Sequence, residues 1–193
     1  MKPLGPAPPE QGWLKGLQHR RSPHQDARPE ATEVSLVVLH YISLPPGRFS
    51  GNAVEKLFMG QLDSNADPGF AALEGLRVSA HFFLRRRGDL IQFVDIHRRA
   101  WHAGRSSFLG RPACNDFSLG IELEGDGGHD FTQVQYRRLA ALIRTLSQHL
   151  PLRHICGHSD IAPDRKSDPG PRFDWPRTLA SVADLGLEAP FVR

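Results

Sequence analysis

The chain has 193 residues, 39% hydrophobic and 23% charged, which suits one soluble globular domain and excludes a disordered chain or two ordinary domains. No apolar run approaches the roughly 20 residues that a membrane helix needs, and the opening MKPLGPAPPEQGWLKG carries no apolar stretch of the secretory kind, so a cytoplasmic location is expected. The net charge of +3 is too small and too scattered to argue for nucleic acid, and Cys114 and Cys156 form neither a CxxC pair nor a disulfide framework.

Residues 1–30 are rich in Pro, Arg and polar side chains. They read as an extended arm, anchored by Trp13 and Leu17, that packs on a domain spanning 31–193. Val34 to His40 is almost wholly apolar, the pattern of a central strand covered on both faces, and Pro45-Pro46 ends it. Asn52 and Glu55 are placed to cap a short helix running to Met59. Residues 60–76 read as a long loop dense in turn formers. Val78–Arg86 and Leu90–Val94 flank Gly88-Asp89 and read as a hairpin. After a loop from Trp101 to Pro112, Ser118–Glu124 alternates. Leu119, Ile121 and Leu123 point one way; Gly120, Glu122 and Glu124 point the other.

Thr132 and Gln135 predict a capped helix whose Leu139, Leu142, Ile143, Leu146 and Leu150 share one face, stopped by Pro151. Leu152–Gly157 is a short strand that delivers His158. Asp174 caps a last helix, with Gly186 as its stop. Strands and helices in irregular alternation, with one hairpin, predict a mixed α/β fold built on a central mixed sheet.

The densest chemistry lies in GHSDIAPDRKSDPGP, residues 157–171. Within it His158 and Asp168 offer an imidazole and a carboxylate, and Lys166 offers a cation to meet developing negative charge. His40 also ends a strand at a Pro-containing loop, so two imidazoles and one carboxylate can meet at the end of a sheet. That is the donor set of a catalytic zinc site with one position left open. Among the ten histidines, His154 and His81 are rivals on strand placement. Glu122 is a carboxylate on an otherwise apolar strand, costly unless paired or used as a base, and Glu124 shares its face. Arg165 and Arg172 compete with Lys166.

LHYISLPPG, RVSAHFFLRRRGDLIQFV, RAWHAG, CNDFSLGIELEG and GHSDIAPDRKSDPGP, with SPH in the arm, together resemble the N-acetylmuramoyl-L-alanine amidase type 2 family. Within it they are most similar to the cytoplasmic branch acting on 1,6-anhydromuramyl peptides. The resemblance spans about residues 12–180. It implies the fold of peptidoglycan recognition proteins, with helices flanking a mixed sheet. It implies one zinc ion per chain on His40, His158 and Asp168, Glu122 as general base and Lys166 as the charge-stabilising group. Arg77, Trp101, His102 and Tyr41 fall in segments that line the substrate groove. Tyr41 stands where relatives often carry Asn. The implied reaction is hydrolysis of the muramyl–L-alanine amide during peptidoglycan recycling, by a monomer that binds a small muropeptide and neither nucleic acid nor membrane. Two rivals remain open: a peptidoglycan-binding module without catalysis, and a periplasmic amidase acting on intact wall.

Overall fold

The computed structural model describes residues 12–192; the part of the arm in residues 1–11 lies outside them. Along the chain run β1 (Gln18–His19), β2 (Gln25–Asp26), β3 (Leu36–Ile42), α1 (Ala53–Phe58), β4 (Phe82–Leu84), β5 (Leu90–Gln92) and β6 (Arg99–Ala100). They are followed by β7 (Ser107–Phe108), β8 (Arg111–Pro112), β9 (Ser118–Glu124), α2 (Gln133–Ser147), β10 (His154–Gly157), α3 (His158–Ile161) and α4 (Trp175–Ser181).

Six strands form one sheet in the order β1-β5-β4-β9-β3-β10. Only the β4–β5 hairpin is antiparallel; the other neighbours run parallel. The fold is therefore mixed α/β, as the alternation of elements implied. β2–β6 and β7–β8 make two small antiparallel pairs beside it.

The period of two along β3 and β9 divides the core. Val37, Leu39, Leu119, Ile121 and Leu123 are buried with Leu139, Leu142, Ile143 and Leu146 of α2. Helix α2 forms because its leucines recur at helical spacing and its start is sealed. The Thr132 hydroxyl accepts from the Gln135 N–H at 3.1 Å, and the Gln135 side chain accepts from the Thr132 N–H at 3.0 Å. On the opposite face Leu36 and Val38 pack with Cys114, Phe117, Cys156 and Ile161. Further along, the hairpin and α1 contribute Leu57, Phe58, Phe83, Ile91 and Phe93.

Several local expectations change. Helix α1 forms, but the Asn52 side chain makes no capping hydrogen bond. The stretch read as loop from 60 to 76 contains a 3-10 helix, Pro68–Leu73, capped by the Asp67 carboxylate accepting from the Gly69 N–H. The loop from Trp101 to Pro112 holds the β7–β8 pair. Its alternation is too short to stand out from turn composition. The described arm contributes to the sheet: β1 pairs with β5, and Leu14 is buried. The Gln92 amide also accepts from the Leu14 N–H at 2.8 Å and donates to the Gly12 carbonyl at 2.7 Å. Among the described residues no helix is long and apolar enough to cross a membrane.

Leu142 is fully buried beneath the sheet, so Leu142→Ala is expected to cost about 2–5 kcal/mol in denaturant unfolding. A loss below about 1 kcal/mol would mean that α2 is not packed on β3 and β9 in this way.

Candidate metal centre and its surroundings

Three parallel strands carry the site to one end of the sheet. His40 in β3 stands directly opposite Glu122 in β9. Strand β10 lies on the other side of β3 with Gly157 opposite Leu39, so the next residue, His158, comes level with His40. Crevices at the carboxyl ends of parallel strands are the usual ligand sites of such sheets. The loop after α3 then folds back. The Asp168 carbonyl accepts from the Ser159 N–H at 2.9 Å. Pro169 closes on Gly157 so tightly that a Cβ there would lie 2.6 Å from its ring, which only glycine accommodates.

This return brings Asp168 to the two histidines. Oδ2 of Asp168 lies 2.9 Å from Nδ1 of His40 and 3.1 Å from Nδ1 of His158, and the two Nδ1 atoms are 2.9 Å apart. All three residues are buried. Two imidazole nitrogens and a carboxylate oxygen thus converge on one point, an arrangement suited to a divalent ion; they are the one group with metal-ligand geometry among the described residues. His158 Nε2 lies 3.2 Å from the Ala103 carbonyl. Since that oxygen can only accept, Nε2 carries the proton and Nδ1 presents its lone pair. His40 Nε2 lies 3.0 Å from Nδ1 of His102.

The electrostatics suit the same purpose. Burial pulls His40 down to about 4, against the opposing pull of Asp168, and leaves it neutral at pH 7. Burial works to raise Asp168, but its contacts with His158 and His40 hold it well below the ordinary carboxylate range. Glu122 behaves oppositely. Burial and the Asp168 charge push it well above the ordinary range, with Lys166 pulling it partly back. One Glu122 oxygen is buried without a hydrogen-bond partner. One site thus drives its two carboxylates in opposite directions, holding Asp168 ionised and favouring the protonated form of Glu122.

Other expected site residues lie as follows. Lys166 is exposed on the returning loop, near enough for its charge to act on His40 and Glu122. Trp101 is half-buried and stacks on His24 at 5.9 Å between ring centroids, with the Arg77 guanidinium 5.3 Å from its ring on another contact. Tyr41 lies one residue past His40 with its ring against Gly127, and its hydroxyl is 3.5 Å from Ser167 Oγ. His102, expected in the groove, is buried behind His40. The rivals fall elsewhere. His154 meets Glu188 at 3.4 Å and packs on Phe108. His81 accepts from the Gly120 N–H at 3.0 Å. Arg165 donates to the Arg105 carbonyl, and Glu124 accepts from the Arg86 N–H.

Sequence reading passed over Ser118 and Asn115. Ser118 Oγ lies 3.2 Å from His102 Nε2. Asn115 Oδ1 accepts from the His102 and Ala103 N–H groups at 3.1 and 2.8 Å. The parity that put Glu122 on the polar face also puts Ser118 there, so that one signal was available; Asn115 sits in a 3-10 turn with no periodicity to mark it.

A mixed sheet with a buried two-histidine, one-aspartate cluster able to hold a metal, beside a glutamate with one unpartnered oxygen, fits the hydrolase class. The N-acetylmuramoyl-L-alanine amidase family model matches residues 30–171, and the chain belongs to that family and is an amidase. It is 52% identical over 176 residues to the 1,6-anhydro-N-acetylmuramyl-L-alanine amidase AmpD of Escherichia coli K12, covering 90% of this chain and 96% of that one. A crystal structure of a selenomethionine AmpD derivative superposes with a TM-score of 0.86 at 49% identity, over 89% of this chain and 97% of the other. The amidase AmiD of E. coli, solved with the substrate anhydro-N-acetylmuramic acid-L-Ala-D-gamma-Glu-L-Lys, matches with a TM-score of 0.58 at 27% identity, over 85% of this chain and 62% of that one.

The raised Glu122 predicts a pH effect on metal-free protein. The folded chain holds this proton more tightly than the unfolded chain, whose glutamates titrate near about 4.3. The stability this provides is complete below that pH and is lost as pH rises toward the folded value. Glu122→Gln removes the titration, so the metal-free variant is expected to be more stable than wild type at pH 7, with the advantage shrinking toward pH 4. Denaturation curves showing the same difference at both pH values would contradict the burial argument.

Proposed function

We propose that the chain hydrolyses the amide between the lactyl carbonyl of 1,6-anhydro-N-acetylmuramic acid and L-alanine in muropeptides, using one zinc ion held by His40, His158 and Asp168. The carrying observation is the triangle of donor atoms, 2.9, 2.9 and 3.1 Å on its sides, beside a buried glutamate oxygen that no protein group satisfies. A tetrahedral zinc with arms of about 2.0–2.1 Å separates its ligand atoms by about 3.3 Å, and three protein ligands leave it one open position. The names of the AmpD relatives and the ligand in the AmiD complex support the choice of substrate. Two free, buried thiols, Cys114 and Cys156, support a reducing compartment, so we assign the activity to cytoplasmic peptidoglycan recycling by a monomer.

When bound, zinc supplies Lewis acidity to the scissile carbonyl and lowers the pKa of water toward about 7. Glu122 takes the proton of the attacking water and passes it to the leaving amine. Its burial and the neighbouring Asp168 charge raise its proton affinity, which suits both halves of that transfer. The Lys166 ammonium, exposed and with no hydrogen bond or ion pair to a described residue, is free to meet the charge on the tetrahedral oxygen. Trp101 offers a ring face to the substrate, Arg77 a cation to a stem-peptide carboxylate, and Tyr41 a contact beside the loop that carries Lys166.

The test is to mix zinc-loaded protein with an anhydromuropeptide and follow free stem peptide by mass. Release is expected, and a chelator should stop it. Glu122→Ala should retain zinc and lose most turnover, while Lys166→Ala should cost about 10²–10³ in rate. Release that persists in chelator would remove the metal from the reaction, and full turnover by Glu122→Ala would remove that side chain.

A further inference from the structure

His102 is buried, only 8% exposed, and both nitrogens of its ring have protein partners. Nδ1 lies 3.0 Å from His40 Nε2, and Nε2 lies 3.2 Å from Ser118 Oγ. The Ser118 hydroxyl in turn donates to the Cys114 carbonyl at 2.5 Å. A carbonyl oxygen can only accept, so it sets the direction of the whole chain. Ser118 spends its proton on Cys114 and accepts from His102 Nε2–H. His102 Nδ1 is therefore bare and accepts from His40 Nε2–H. His40 Nδ1 is then bare as well, with its lone pair on the point shared with His158 and Asp168.

The surroundings hold His102 in this pose. Its N–H and that of Ala103 donate to Asn115 Oδ1 at 3.1 and 2.8 Å. Its ring fills the space over Gly120, where a Cβ would lie 2.4 Å from His102 Cγ. The glycine of GIELEG is thus the seat of this imidazole. The same segment orients the second ligand, because the Ala103 carbonyl receives His158 Nε2–H at 3.2 Å.

We propose that His102 is a positioning residue: with Ser118 it fixes the tautomer and ring orientation of His40, so that Nδ1 is the atom offered to the metal. This rests on the zinc reading above. Groups that orient a metal-binding histidine through its other nitrogen typically contribute 10–100-fold to metal affinity.

Two measurements test it. The first is the ¹⁵N-histidine spectrum of the wild-type protein, which should show His102 with Nε2 protonated and Nδ1 bare, and a coupling across the hydrogen bond from His40 Nε2–H. The Nδ1–H tautomer of His102 would overturn the proposal. The second is zinc affinity by competition with a chromophoric chelator. His102→Leu should weaken zinc binding about 10–100-fold and lower kcat with little change in KM. His102→Asn, whose Oδ1 can replace Nδ1 as acceptor, should recover most of the affinity. Ser118→Ala interrupts the same chain with a smaller change of volume and should weaken zinc several-fold. Wild-type affinity in both His102→Leu and Ser118→Ala, or a raised KM with kcat intact, would overturn it and return His102 to the substrate groove. If the wild type bound no zinc, the functional reading would fall, whereas the His102 tautomer would still decide the hydrogen-bond chain.

Discussion

Parallel pairing of β3 with β9 on one side and β10 on the other is the constraint from which the site follows. The pairing places Glu122 opposite His40 and brings His158 level with both. Because side chains alternate along a strand, the same register sends Leu39, Ile121 and Leu123 into the core beneath α2. A slip of one residue would exchange the faces, burying carboxylate and imidazole in hydrocarbon and turning leucines to the site. The hydrophobic core therefore enforces the geometry of the polar centre.

The second determinant is how differently the site treats its two acids. Asp168 sits against two imidazoles and stays ionised, whereas Glu122 lies in a pocket that gives one of its oxygens no partner. Nothing in the residue types separates an aspartate from a glutamate so widely; the surroundings do. A buried polar atom left without a hydrogen bond costs free energy. Its presence in the middle of a well-packed sheet is a local cost to stability that the surrounding core must offset.

Much of this was legible in the chain. The apolar run before His40, the alternation around Glu122 and the capping pair Thr132 and Gln135 each report a local rule, and local rules survive folding. The bringing together of His40, His158 and Asp168 does not follow from spacing alone, since His154 and His81 have equally good strand positions. Pairing of β10 with β3 and the closure of Pro169 on Gly157 decide between them, and both are tertiary facts. His102 illustrates the remaining gap. The family resemblance put it in a segment lining the groove, but the absence of a side chain at Gly120, eighteen positions later, leaves room for the ring inside. The helix over 68–73 was hidden because its composition is that of a turn.

Both margins of the main sheet are closed by segments from outside the central strands. β1 lines β5 on one side. On the other, Glu188 bridges to His154, exchanging backbone hydrogen bonds with Arg153 and Ile155 at 2.9 and 3.0 Å. Uncovered strands recruit other strands, and β10 and β5 would otherwise offer open rows of N–H and C=O groups to any neighbouring molecule. The two short flanking pieces thus work as selvedges. Trimming either one would leave His40, His158 and Asp168 untouched, yet would give the protein a sticky border and a path to self-association.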